Sequence, residues 1–422
     1  MTIAPPLESP AGLDRLMAEM HEPFLERASS EETGGSAALG GFLTLRFVDR
    51  VVDRTPNDTK ALAYQARATL DYLADFEPSP EMTHLQNITR VAGAVARRAS
   101  QHLLCAPLLA FAYWLEQELR LNEALDVVDT TQRIGQGLKP GEVVSVLLQR
   151  ARILRLLGQF DDARRAYAAA GKQADAVGDS HSVLLSRIGD AIVSRQVGNL
   201  PGSEVALRAV LREAEAMSDE DAQARAHHDL GVALDHRNRP AQALAHYFAA
   251  FNLYQPETFK LRALSDVAHA IKGLGHHDAA TRAFTLVVER TTSAQVKMYA
   301  MLELLELAGV SRNRVSFQRW RRQVQVLADS LPAETAVDFE IKLGKGYREF
   351  GNVRLARRHL RSAARMAGEW QLNEYVFRAE QALRALLAGE DQEAVPPISA
   401  REAVTPEVSA IAEQVLSLSF AS

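Results

Sequence analysis

A turn-and-helix signature recurs along this chain at a nearly constant interval, and no other feature restricts its fold as tightly. Gly158 is followed by alanine five residues on (Ala163), an aromatic nine on (Tyr167) and alanine twelve on (Ala170). The same offsets lead from Asn238 to Ala243, Tyr247 and Ala250, from Gly275 to Ala280, Phe284 and Val287, and from Gly351 to Ala356, Leu360 and Ala363. Looser copies begin at Leu119, Gly198 and Ser311. The turn positions 119, 158, 198, 238, 275, 311 and 351 therefore stand 39, 40, 40, 37, 36 and 40 residues apart.

Helix-hairpin packing explains the offsets. Glycine permits the positive φ that ends a first helix. Small alanines let a second helix approach its partner, and the aromatic fills the space between units. Apolar residues recur at three or four (Leu147, Ala151, Leu154; Ala163, Ala166, Tyr167, Ala170), and no segment alternates as a strand does. A unit of this size cannot bury its apolar face alone, so several must stack. The expected fold is all-α, and 422 residues in such an array need no division into separate cores.

These units resemble tetratricopeptide repeats. Seven residues before the turn, where that family places a small side chain, stand Ala112, Ala151, Ala191, Gly231, Ala268 and Gly344, and Leu230-Gly231 and Leu343-Gly344 match its Leu-Gly pair. The resemblance covers residues 105–370 clearly and 58–104 and 371–388 loosely. It implies a right-handed superhelical solenoid of antiparallel helix pairs. The units are longer than the family's usual length of about 34 residues, and its proline after the second helix is mostly absent. Long units of this kind also resemble the helical sensor domains of bacterial peptide-responsive regulators and of large ATP-dependent transcriptional activators.

Five segments are expected. Residues 1–10 carry three prolines and read as disordered. Residues 11–57 form a helical cap, with helices over 11–28 and 39–54 around a Gly/Ser-rich loop. The repeats occupy 58–388, and an acidic, Pro-containing linker occupies 389–405. Pro406 opens a last amphipathic helix within 406–422. Two placements of that helix stand open: docked in the binding groove as an internal competitor, with Glu390, Asp391 and Glu393 meeting its bases, or capping the last repeat. The apolar faces of 39–54 and 406–420 are candidates for pairing two copies.

Nothing in the sequence argues for catalysis. It contains no Gly-x-x-x-x-Gly-Lys-Ser/Thr run, no His-Glu-x-x-His and no cysteine cluster. Gly344-Lys345-Gly346 falls at a packing position within a helix. The neighbouring pairs His227-His228 and His276-His277 point about 100° apart, which is poor chelating geometry. The single cysteine, Cys105, sits in an apolar run and reads as an inert thiol. No cofactor or metal is expected. With no secretory or membrane-spanning signal, the expected location is the cytoplasm.

The family uses its first helices to line a concave binding surface. Carried over from the turn positions, the resemblance assigns that surface Arg152, Arg155, Arg195, Arg225, Arg262, Lys272, Lys345 and Arg348, with His228, His236 and His269. Only Glu116, Asp235, Asp338 and Glu349 oppose them, a net positive groove in a chain of formal charge −5. Arginine forks suit carboxylate or phosphate; the alternative reading is that these are solvated helix positions. Leu148, Leu185, Ile188, Ile192, Met298, Met301 and Leu305 form an apolar section, either a surface for a peptide's anchors or plain core.

The expected function is therefore a non-catalytic protein- or peptide-binding scaffold, with an acidic or carboxylate-bearing ligand. The alternative is a peptide-sensing regulator whose solenoid changes conformation to control a transcription or signalling partner. Residues 1–57 lack a basic recognition helix, so direct nucleic-acid binding is not expected, nor is a membrane.

Overall fold

A computed structural model describes residues 20–29, 35–53, 58–327, 331–388 and 405–418. The expected disorder of 1–10, the start of the first expected helix and nearly all of the expected linker lie outside them. The described chain is all-α, and its helices follow one another as antiparallel pairs. It divides into two compact units, Met1–Gly202 and Ser203–Ser422.

The first unit opens with α1 (Glu22–Ser29), α2 (Gly35–Val52), α3 (Thr59–Ala74) and α4 (Pro80–Ala96). Repeat pairs follow: α5 (Cys105–Gln117) with α6 (Leu121–Arg133), then α7 (Pro140–Leu156) with α8 (Phe160–Ala176), then α9 (Ser180–Gln196). Close approach at the start depends on glycine, because a Cβ on Gly41 would stand 2.5 Å from the Phe24 ring. His21 fastens this segment. Its Nδ1 lies 2.8 Å from Asp126 Oδ2 and its Nε2 2.8 Å from Asp49 Oδ2.

After α10 (Leu200–Ala216), which begins at the boundary, the second unit contains α11 (Glu220–Asp235) with α12 (Pro240–Leu253) and α13 (Glu257–Gly273) with α14 (His277–Arg290). Then come α15 (Ala294–Val310) with α16 (Arg314–Gln325), α17 (Ala333–Glu349) with α18 (Val353–Glu369), α19 (Asn373–Ala388) and α20 (Pro406–Ser417). The seam between helices is made of glycine under a large side chain. A Cβ on Gly231 would lie 2.6 Å from the Tyr247 ring, and one on Gly344 2.5 Å from Leu360 Cγ. Gly346 sits against Phe317, so Gly344-Lys345-Gly346 is a packing sequence.

Left-handed φ marks the expected turns at Leu119, Gly158, Gly198, Asn238, Gly275 and Gly351. One expected turn shifts by a residue. Arg312, at φ 53°, is left-handed, whereas Ser311 is at φ −76° and caps α15.

The C-terminal helix itself takes neither of the two expected placements, while Glu390, Asp391 and Glu393 lie outside the described residues. Among the described residues α20 packs mainly on α14 and α12, second helices of two interior pairs. Val408, Ala412 and Val415 are buried there, and Arg282 donates to the Leu418 carbonyl at 2.6 Å. Among the described residues, both faces offered for pairing two copies are largely covered by the chain itself. α20's apolar face is covered by its own chain, and on α2 Phe47 and Val51 are buried while Phe42 packs against the same core. Among the described residues no helix is long and apolar enough to cross a membrane.

Candidate functional site

In the first unit the first helices α5, α7 and α9 bring Glu116, Arg152, Arg155 and Arg195 into one row. Arg152 Nε lies 2.6 Å from Glu116 Oε1, and its guanidinium stands 5.9 Å over the Tyr113 ring. Arg155 Nη1 donates to Gln196 Oε1 at 3.3 Å, while its Nε is buried and meets no acceptor among the described residues. Arg195 is half-buried on the next helix. Glu116, the carboxylate that pairs with Arg152, is nearly fully buried. Leu148, Leu185 and Ile192 are half-buried beside these bases, whereas Ile188 is core.

The second unit is different, because most of its bases are already engaged. Arg225 Nε donates to Asp221 at 2.6 Å, and its guanidinium lies over Phe259. His228 is buried between the edges of Tyr247 and Tyr254, with Nε2 2.7 Å from Asp266 Oδ2. His269 Nδ1 and the Tyr299 hydroxyl stand 2.8 Å apart. Arg262 and His236 are exposed, and Arg348 is half-buried.

Beyond these residues runs an ionic seam through α13, α15 and α17. Lys272 bonds Glu303 and, at 2.8 Å, Glu306. Lys342 stands 2.8 Å from Glu303, 2.9 Å from Glu306 and 3.5 Å from Asp338. Lys345 approaches Glu306 at 3.6 Å, and Arg378 of α19 takes Asp338 at 2.9 Å. Burial, the largest influence on Glu303 and Glu306, favours their neutral forms. Lys342 and Lys272 more than offset it and hold both carboxyls below the usual range. Burial likewise pushes the Tyr299 hydroxyl upward, aided by Glu303.

The expectation of a largely unopposed basic groove therefore fails in this unit. Asp221, Asp266, Glu303 and Glu306 are the acids it omitted, and Lys342 the base. The apolar section is corrected too. Met301 and Leu305 are core, and Met298 is half-buried and packs against that core. The cause is the shifted turn: moving the register of α15 by one residue replaces Met298 and Leu305 with Tyr299 and Glu306. Asn313 carries the missed signal. It caps α16 through its side chain one residue after the left-handed turn, as Asn199 and Asn352 do in their own units.

Cys105 is buried, and burial together with Glu142 raises its thiol to about 11, which keeps it protonated.

No protein-family model matches the chain, and no curated protein matches it in sequence. Solved structures do match it in shape. The signal transduction ATPase with numerous domains from Pyrococcus horikoshii, which carries a tetratricopeptide repeat sensor, superposes with a TM-score of 0.52 over 89% of this chain and 72% of its own, at 10% identity. The chain has a tetratricopeptide-like repeat fold. Two bacterial regulators of that fold are also similar. The Rap conjugation gene regulator of plasmid pLS20, in complex with the Phr* peptide, gives a TM-score of 0.50 over 85% of this chain and 98% of its own, at 10% identity. The apo quorum sensor NprR from B. thuringiensis gives 0.50 over 84% and 92%, at 13% identity.

Proposed function

We propose that the chain is a peptide-sensing regulatory protein without catalytic activity. Its first helices hold a carboxylate-bearing peptide, and the helix pairs shift on binding to control a transcription or signalling partner. The observation that carries this reading is the row Arg152, Arg155 and Arg195 in the first unit, whose Nε atoms are buried and which lies beside half-buried apolar side chains. Desolvated forks bind a carboxylate with two parallel hydrogen bonds, and they do so more strongly than exposed ones. The half-buried Leu148, Leu185 and Ile192 supply contact for apolar anchors. The fold shared with a peptide-bound conjugation regulator and a quorum sensor supports a sensing role over a passive scaffold.

The test uses pentapeptides with free C-terminal carboxylates, and their amidated twins, presented to the intact protein and to Arg155→Glu/Arg195→Glu. Retention of a subset of the free acids by the intact protein, lost in the variant at unchanged helical content, is expected. Equal retention by both proteins would remove the arginine row from function. Small-angle scattering with a retained peptide separates the two modes: a changed radius of gyration is expected of a sensor, and an unchanged one returns the protein to a scaffold.

A further inference from the structure

The second unit contains a cleft of about 230 Å³ away from the ionic seam, where α16 and α18 flank the opposite side of α17. Its floor is apolar: Phe339 and Leu343 from α17, Met366 from α18, and Leu331. Its polar wall is Arg321, Gln325, His359 and Glu340. Arg321 Nη1 donates to the Tyr347 hydroxyl at 2.7 Å, which fixes the plane of the fork. Its Nε is buried and meets no acceptor among the described residues. An N–H donor held in that way loses its hydration without replacement, a cost usually met by a partner.

Glu340, the acid in this wall, is bonded to His359 Nδ1 at 3.0 Å, and His359 stacks on Tyr347. The surroundings are strongly basic. Arg319, Arg322, Arg354, Arg357, Arg358 and Arg361 are exposed on the two flanking helices. Glu369, the one acid in the sequences of those helices, is bound by Arg365 at 2.8 Å. Nothing in the repeat architecture requires arginine at these positions, since second helices pack through their small and aromatic residues.

We infer that this cleft is a second ligand site, which takes a carboxylate on Arg321 and the apolar group that carries it over Phe339, Leu343 and Met366. The size sets the class. A cavity of about 150 Å³ is enough to bind benzene, so one aromatic or branched side chain with its acid fills the space, while an ordinary cofactor exceeds it. Both a free small organic acid and the C-terminal residue of a partner peptide present that chemistry. The surrounding arginines add long-range attraction for either one.

Binding of phenylacetate, phenylacetamide, inorganic phosphate, and acetyl-Gly-Phe with a free or amidated terminus is followed by isothermal titration calorimetry of the parent and each variant, and the Arg321 Nε–Hε resonance of the arginine-labelled parent locates it. Saturable binding of an acid, with none by its amide or by phosphate, is expected. Arg321→Gln should weaken it at least about tenfold. Ala336→Phe, which fills the cleft and leaves Arg321 in place, should abolish it, so loss of binding does not rest on one substitution. Tighter binding of the dipeptide assigns the site to a peptide terminus, and tighter binding of phenylacetate to a small acid. Absence of saturable binding, or equal binding by both variants and the parent, overturns the site. Arg155→Glu/Arg195→Glu should leave these titrations unchanged, so this site and the first-helix face fail or survive independently.

Discussion

Lys342 Nζ and Glu303 Oε1 face each other at 2.8 Å with both side chains about 5% exposed, an ammonium and a carboxylate buried together between α17 and α15. Removing one member of such a pair costs far more than the pair contributes, because the other charge stays buried. Lys342→Met should destabilise the second unit by about 3 kcal/mol, the low end of the usual range because Lys272 still holds Glu303 and Glu306. Glu303 and Glu306 titrate lower when folded than unfolded, so their stabilisation is complete above the ordinary carboxylate range and is lost as pH falls through their folded values. Urea midpoints should therefore drop on the acid side in the parent, and this drop should be much smaller in Lys342→Met. A steep acid loss retained by the variant would show that the seam is not its source.

Backbone geometry gives a second prediction, with opposite signs at two sites. A Cβ on Gly231 runs into Tyr247, so Gly231→Ala should cost about 1–3 kcal/mol. Arg312 holds a left-handed φ that L side chains enter at a cost of roughly 1–2 kcal/mol. Arg312→Gly relieves that cost and loses some unfolded-state entropy, so a net gain of about 0.5–1 kcal/mol is expected. Thermal melts of the two variants against the parent decide both signs.

Legibility in the sequence followed the same physics. Turns with glycine were plain, because few residues accept positive φ, and the small residues under Tyr167, Tyr247 and Leu360 repeat at fixed offsets. Arg312 was hidden because arginine is not a turn residue, and that one-residue slip misplaced the face of α15 that the family resemblance assigns to the groove. Glu303, Glu306 and Lys342 were also hidden. They act across helices of different pairs, and spacing within one repeat does not state which charges meet. The Arg321 cleft lies between second helices, outside the surface that the family resemblance points to. α20 is an amphipathic helix in any reading, but its landing place depends on the shape of α12 and α14.

His21 gives a pH signature of the opposite sign in the first unit. Burial pushes its pKa down, but Asp126 and Asp49 outweigh that and leave it raised above 6.5. A raised base stabilises fully below its unfolded value, and that stability is lost as pH rises through the folded one. With Trp320→Phe and Trp370→Phe, Trp114 alone reports the first unit. Its denaturation midpoint should fall between pH 6 and pH 9, and His21→Asn should flatten that fall. A midpoint that falls equally in both proteins would place the titration elsewhere.

Removal of α20 separates its structural contribution from any effect on ligand binding. Val408 and Val415 are buried against the second unit's core, and burial of each contributes roughly 1.5–3 kcal/mol. Val415→Asp places a charge where no base is paired, so it should detach α20 and lower the stability of the second unit by a few kcal/mol. The Arg282 bond to the Leu418 carbonyl would be lost with it. Because α20 lies on α12 and α14, second helices, its release should leave the affinity of a first-helix-face peptide within about twofold, whereas a helix occupying that face would raise affinity on release. Calorimetry with a peptide retained by the intact protein, before and after Val415→Asp, decides between them. A gain of about tenfold or more would mean that the C-terminal segment also reaches the first helices and competes there.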